Sequence, residues 1–167
     1  MRPLPSHRPI ALFATLAAGA ALATALLSEA WGGLVPCALC LVERWPYRIA
    51  IGLGLVALVL PRRVGRAVLW LTVIALLGGA LAAFVHVGVE LGFWPSPLPE
   101  CAAPHIVAGS IAERLAQMPA LPSKPCDSPT YLIPHLPVSM AAMNLIYALG
   151  LMFVLGAWLE RTRGRRR

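Results

Sequence analysis

Charge is what this sequence has least of. Only 13% of its 167 residues are Asp, Glu, Lys or Arg, against 59% hydrophobic residues, whereas soluble domains carry about 25% charged residues. A chain this apolar lacks the polar surface that an ordinary water-soluble domain needs, and it reads as an integral membrane protein. There is no Walker loop, no Ser-His-Asp pattern and no glycine-rich dinucleotide fingerprint, so nothing points to nucleotide hydrolysis, serine-type acyl transfer or nicotinamide chemistry. Internal repeats are absent too, which leaves no signal for a solenoid or propeller. Acidic residues are scarce, 7 against 14 basic ones, for a formal net charge of +7.

That positive charge would suggest a nucleic-acid partner if it were spread over one surface, but its placement says otherwise. Arg2 and Arg8 precede the first apolar run; Arg62, Arg63 and Arg66 stand between the second and third; Arg161, Arg163, Arg165, Arg166 and Arg167 close the chain. The apolar runs cover residues 10–27, 48–60, 67–89 and 138–159. A spanning helix needs about 17 to 25 residues, so three runs suffice alone and the second must borrow residues 43–47. The three basic places then fall on one side of a four-span topology, and short-loop Lys and Arg mark the cytoplasmic side. Both termini are expected inside, with no nucleic acid bound. Glu29, Glu43, Glu90, Glu100, Glu113 and Asp127 fall on the other side. The 18 uncharged residues of the first run exceed the 7 to 15 of a signal-peptide core, so that run is expected to stay as a span.

The expected organisation is one all-α transmembrane domain over residues 1–167, a four-helix bundle. Its spans lie at about 10–30, 43–60, 67–90 and 138–159, with outer loops at about 31–42 and 91–137. Ten of the 16 prolines fall in the second loop, and a loop of that length without regular structure is usually functional. Ile111, Leu115 and Met118 repeat at helical spacing there, which predicts a short helix lying on the membrane surface at about 108–118. Pro46 leaves the start of the second helix open between Cys37, with a kink, and Trp45.

All four cysteines, Cys37, Cys40, Cys101 and Cys126, then lie outside the cytoplasm or near the outer membrane face, in bacteria the periplasm, where disulfides persist. Zinc is a poor reading, because structural sites use two closely spaced ligand pairs and 24 residues separate Cys101 from Cys126. As an inert staple, a Cys101–Cys126 bridge closes a loop worth about 3 kcal/mol. The same reading fails for Cys37 and Cys40, since a two-residue loop removes little entropy and such disulfides are generally reducible. The Cys-x-x-Cys pair is therefore expected to do redox work. Arg44, on the side disfavoured for basic residues, would stabilise a thiolate or another anion. His86 and Glu90, four residues apart on one helix face, read either as packing groups or as proton donors to a cofactor. His105 and His135 read as plain loop residues. A dithiol in the outer leaflet needs an electron acceptor, and the acceptor soluble there is a quinone.

Pro36-Cys37-x-x-Cys40 followed by Glu43-Arg44, His86 and Glu90 ahead of Phe93-Trp94-Pro95-Ser96-Pro97 and Cys101, Cys126-Asp127, and a last helix opening Val138-Ser139-Met140-Ala141 resemble the DsbB family of disulfide bond formation proteins. The resemblance covers nearly the whole chain. It implies an inner-membrane bundle that reoxidises a DsbA-like periplasmic thioredoxin-fold oxidase and passes electrons to ubiquinone or menaquinone from the membrane pool. It also implies roles: Cys101 is attacked by the partner's thiol, Cys126 is the cysteine paired with it and exchanges with Cys37, and Cys40 is the thiolate facing the quinone beside Arg44. Cys40, Arg44, His86 and Glu90 are the expected cofactor-binding residues, with no metal.

Overall fold

The structure, a computed structural model, describes residues 7–101, 110–111, 124–133 and 136–164. The helix expected at about 108–118 and both His105 and His135 lie essentially outside the described residues. Five α-helices are present among those described: α1 (Arg8–Ala30), α2 (Ala38–Val42), α3 (Arg44–Val59), α4 (Arg62–Glu90) and α5 (Met140–Gly164). One 3-10 turn covers Pro99–Cys101. Three of the helices, over Arg8–Ala30, Arg62–Glu90 and Met140–Thr162, are long and apolar enough to cross a membrane. At 16 residues α3 falls short of that length.

Local chemistry sets these boundaries. Glu43 separates α2 from α3, and Pro46 falls in the first turn of α3, where a missing N–H costs no intrahelical bond. Pro61 disfavours helical backbone at the residue before it, and Leu60 is indeed extended, with ψ at 153°. Helix α4 ends in a Schellman turn. Gly92 takes a positive φ of 73°, its N–H donates to Val89 O, and the Phe93 N–H donates to Gly88 O at 2.8 Å. Trp94 then folds back over the helix it has just left, donating from Nε1 to Val85 O at 2.9 Å. A Cβ on Gly88 would sit 1.9 Å from the Trp94 ring, so that fold-back requires glycine.

Side-chain contacts set the helix directions. His7 Nε2, just before α1, is 2.8 Å from Ala57 O near the far end of α3, and Arg66 near the start of α4 donates to Thr162 Oγ1 and Leu159 O at the end of α5. Glu90 at the other end of α4 accepts from Ser139 before α5. The four longer helices thus run alternately up and down. Arg8, Arg62, Arg63, Arg66 and Arg161 of the basic segments lie toward one end and all four cysteines toward the other.

Ala11, Ala14 and Ala18 of α1, Ala50 and Ala57 of α3, and Leu69, Leu76, Leu155 and Leu159 of α4 and α5 fill the core. Leu16, Ile74 and Phe153 are more than 60% exposed, as expected where hydrocarbon rather than water covers the outside. Small residues set the α1–α3 distance. A Cβ on Gly54 would meet Thr15 Oγ1 at 2.2 Å and Ala11 O at 3.3 Å, while one on Gly52 meets nothing within 4 Å. Gly54→Val is therefore expected to destabilise the detergent-solubilised protein by about 1–3 kcal/mol, with Gly52→Val close to neutral. Denaturant titration followed by circular dichroism would measure both, and equal effects would refute this account of the packing.

Candidate functional site

Cys37 occupies the N-cap of α2, with φ −84° and ψ 171°, and its sulfur accepts from the Cys40 N–H at 3.2 Å. One turn later Cys40 brings its sulfur to 2.7 Å from that of Cys37, so closing a bond of about 2.05 Å needs little movement. Cys37 is buried and Cys40 half-buried. The backbone at Cys37 forms an isolated parallel bridge with Lys124, two residues before Cys126. Cys126 is disulfide-bonded to Cys101, and its N–H faces Cys101 O at 3.4 Å. Cys37, Cys101 and Cys126 share one buried apolar cluster with Leu39 and Val89, and Cys40, Trp94 and Leu98 pack against it. Two cysteine pairs far apart in sequence meet in one place.

A chain of polar groups runs from this cluster into the bundle. His86 of α4 puts Nε2 3.4 Å from Cys37 Sγ and Nδ1 2.6 Å from Glu43 Oε1. Asn144 of α5 donates from Nδ2 to Glu43 Oε2 at 2.5 Å, and Tyr47 of α3 donates to Asn144 Oδ1 at 2.5 Å. Glu90 is occupied elsewhere: it accepts from Ser139 Oγ, which also caps α5 by accepting from the Ala142 N–H. Its other oxygen stands 4.0 Å from His86 Nε2. Arg44 forms a two-pronged ion pair with Glu29 at the end of α1, and its Nε is buried without a hydrogen-bond partner.

Part of this polar chain borders a cavity of about 240 Å3. Ala20, Ala21, Thr24 and Ala25 of α1 form one wall and Met140, Ala141, Met143 and Tyr147 of α5 another, while Cys40, Glu43, Arg44, Tyr47, His86 and Asn144 form its polar end. Glu90 is not part of the lining. Small apolar walls with a few convergent polar groups suit a flat ring carrying carbonyl oxygens, so the residues present fit a quinone head group. A metal fits less well. The ligand atoms of Cys37, Cys40 and His86 lie within 4.8 Å of one another, but sulfurs 2.7 Å apart are closer than the roughly 3.8 Å that two 2.3 Å zinc bonds at a tetrahedral angle require.

The family model described as "Disulfide bond formation protein DsbB" matches residues 7–158. The chain belongs to the DsbB family. It is a membrane disulfide-bond formation protein by that membership and by its membrane-length helices. An uncharacterized protein of Rickettsia prowazekii (strain Madrid E) is 32% identical over 138 residues, covering 81% of this chain and 78% of that protein. No solved structure matches.

Among DsbB-family expectations, the structure brings Cys37, Cys40, Cys101, Cys126 and His86 together, sets Arg44 beside the cavity but clamped to Glu29, and ties Glu90 to the cap of α5. Sequence reading missed Glu43 as a hinge residue of the polar chain, along with Asn144, Tyr47 and Glu29. The signal for Glu43 was a carboxylate three residues after Cys40 at the start of an apolar run. For Asn144 it was a lone amide in a span, where polar side chains normally bond across helices.

The Cys37 thiol is held below its ordinary pKa, chiefly because the Cys40 thiol hydrogen-bonds to its thiolate, with the Cys40 N–H adding to this and burial opposing it. Cys40 is pushed up in return, because it supplies that hydrogen bond and is itself buried. A lowered acid pKa stabilises the folded reduced form above the ordinary thiol value of 9.0, and the stabilisation is lost as pH falls through the lowered value. With Cys101 and Cys126 replaced by Ser, the reduced protein is expected to gain one thiolate equivalent of 240 nm absorbance with a midpoint below the ordinary 9.0. A midpoint at or above that value would contradict the arrangement. Glu29→Gln, which leaves the Arg44 charge partly buried and uncompensated, is expected to cost about 1–3 kcal/mol in denaturant titration; an unchanged midpoint would show that the pair contributes nothing.

Proposed function

We propose that the protein is a thiol:quinone oxidoreductase of the bacterial inner membrane that reoxidises a DsbA-like periplasmic dithiol oxidase. The observation that carries this reading is the meeting of the two cysteine pairs in one apolar cluster, with Cys40 alone of the four sulfurs lining the cavity. In this reading the chain crosses the membrane four times, its second span beginning with α3, and both termini are cytoplasmic. The cysteine end faces the periplasm.

The residues divide the work. The partner's thiolate attacks Cys101 and breaks the Cys101–Cys126 bond; Cys126 then attacks Cys37 of the oxidised Cys37–Cys40 pair and releases Cys40, and the partner's second thiol frees Cys101, which re-forms the bond to Cys126 and leaves Cys37 and Cys40 as thiols. Exchange needs a thiolate at close range to a disulfide sulfur, and the bridge between Cys37 and Lys124 holds the two segments side by side. Electrons then sit on the Cys37–Cys40 dithiol, next to the cavity. Ubiquinone or menaquinone, when bound, accepts two electrons and two protons. Cys40, Arg44 and His86 would hold the head group, Arg44 supplying positive charge and His86 a ring nitrogen, while the alanine-lined wall of α1 excludes water. Glu90 acts at one remove, by fixing the start of α5 and so the position of Asn144.

The deciding experiment follows quinone absorbance with time, using detergent-purified protein and a reduced periplasmic thioredoxin-fold oxidase. Wild type is expected to consume ubiquinone or menaquinone, Cys40→Ser to abolish turnover, and Arg44→Ala to raise the quinone KM about tenfold or more, the worth of a charge-assisted hydrogen bond. Absence of quinone consumption by wild type would instead favour a membrane scaffold whose Cys101–Cys126 disulfide is a static staple.

A further inference from the structure

We propose that Glu43 is the positioning residue of a Cys37–His86–Glu43 proton relay, holding His86 in the tautomer that takes the Cys37 proton as the Cys37–Cys40 disulfide is made. The proposal rests on the reading of this pair as a dithiol oxidised by quinone, and assigns work to three residues, Glu43, Asn144 and Tyr47, that the reading leaves idle.

The hydrogen bonds have one consistent direction. Tyr47 O–H donates to Asn144 Oδ1, and Asn144 Nδ2 donates to Glu43 Oε2. Glu43 Oε1, the other carboxylate oxygen, lies 2.6 Å from His86 Nδ1, which must carry the hydrogen because an ionised carboxylate only accepts. A neutral imidazole with its hydrogen on Nδ1 has its lone pair on Nε2, and Nε2 is the atom 3.4 Å from Cys37 Sγ. The chain therefore ends on an acceptor aimed at a thiol. Glu43 and His86 are both buried, so water does not compete for these bonds. The geometry is that of a nucleophile, a base and an orienting carboxylate, the arrangement that activates thiols in general.

The remaining groups around His86 do not offer a substitute. Cys37 and Cys40 face it from α2 and Glu43 from the α2–α3 junction. Glu90 of its own helix is 4.0 Å from Nε2 and engaged with Ser139. Lys124, next to Cys37 in the bridge, spends its ammonium on Pro129 O and Thr130 Oγ1.

The redox balance requires such a base. Making the disulfide forms one S–S bond and breaks two S–H bonds, and the two electrons and two protons pass to the quinone. Cys40 lines the cavity and releases its proton there. Cys37 does not line it, whereas His86 touches Cys37 and also borders the cavity. The Cys37 proton moves to Nε2, and Glu43 stabilises the imidazolium that results.

The test uses full-length protein with Cys101→Ser and Cys126→Ser, reduced, with thiolate absorbance at 240 nm titrated against pH. Glu43→Gln can place its amide against Nδ1 and so leave the ring hydrogen on Nε2. The thiolate midpoint is then expected to rise by about one pH unit or more. If Glu43 acted only as a nearby negative charge, removing that charge would favour the thiolate and lower the midpoint. In the protein with all four cysteines, Glu43→Gln is expected to lower kcat for quinone reduction about 100-fold, the scale of general acid–base catalysis, with the quinone KM within about twofold and partial recovery in Glu43→Asp. Should Glu43→Gln fail to fold, Asn144→Ala keeps the Glu43 charge and removes one of its two hydrogen bonds; a smaller upward shift and about a tenfold lower kcat are expected. A falling or unchanged midpoint in the folded variant, or a wild-type kcat and pH profile in Glu43→Gln, overturns the relay. Wild type that reduces no quinone, but whose midpoint rises on Glu43→Gln, would sink the oxidase reading while leaving the relay in place.

Discussion

A carboxylate buried in an apolar bundle is the constraint on which the rest of this structure depends. Taking Glu43 out of water is costly, and the cost is met only if both oxygens find donors held in place. His86 from α4 and Asn144 from α5 provide them, and Tyr47 of α3 holds Asn144 in turn. Three helices are thereby registered against one another at the level of the sulfur cluster. The register is polar rather than volumetric. Elsewhere in the bundle alanine and glycine let the helices approach, but contacts between small residues alone tolerate sliding that a fixed set of hydrogen bonds does not.

The cysteine end is assembled by parts of the chain that have little in common locally. Cys40 belongs to a five-residue helix that Cys37 caps, Cys101 to the 3-10 turn after the α4 fold-back, and Cys126 to the segment that bridges Cys37. The fold-back matters most here. Gly92 reverses the chain and Trp94 lies on Gly88, so Cys101 stays near the end of α4 instead of being carried away from it. The opposite end is built differently, with the Arg66 guanidinium of α4 reaching a carbonyl and a hydroxyl oxygen of α5.

Much of this was legible in the residues. Apolar run lengths gave the three longer helices, and the Cys-x-x-Cys spacing the close approach of Cys37 and Cys40, because each depends on composition or on separations along the chain. The polar partners were not legible. Arg44 pairs with Glu29, 15 residues earlier, and Glu43 with Asn144, 101 residues later; such pairings are fixed by helix rotation and tilt, which an uncharged alanine-rich pattern leaves undetermined. Glu90 shows the same limit. Its i, i+4 relation to His86 suggested a shared task, but Ser139, just before α5, takes one oxygen of its carboxylate and the other stays 4.0 Å from His86. Pro46 allowed either a kinked helix from Cys37 or a start near Trp45, and the chain takes a middle course, a short helix and then a fresh start at Arg44.

The shortness of α3 has a consequence for where the chemistry sits. Sixteen residues rise about 24 Å, and the hydrocarbon core of a bilayer is about 30 Å thick. At its far end α3 joins α4 through Leu60 and Pro61, with Arg62 and Arg63 immediately beyond; on the four-span reading proposed above these arginines stand at the water boundary, and the shortfall of about 6 Å falls at the cysteine end. The short α2, capped by Cys37 and carrying Cys40, would then occupy that last turn of depth. On that reading the Cys37–Cys40 pair would lie below the membrane surface in a medium of low dielectric, where an apolar oxidant dissolves readily and water-soluble thiols do not.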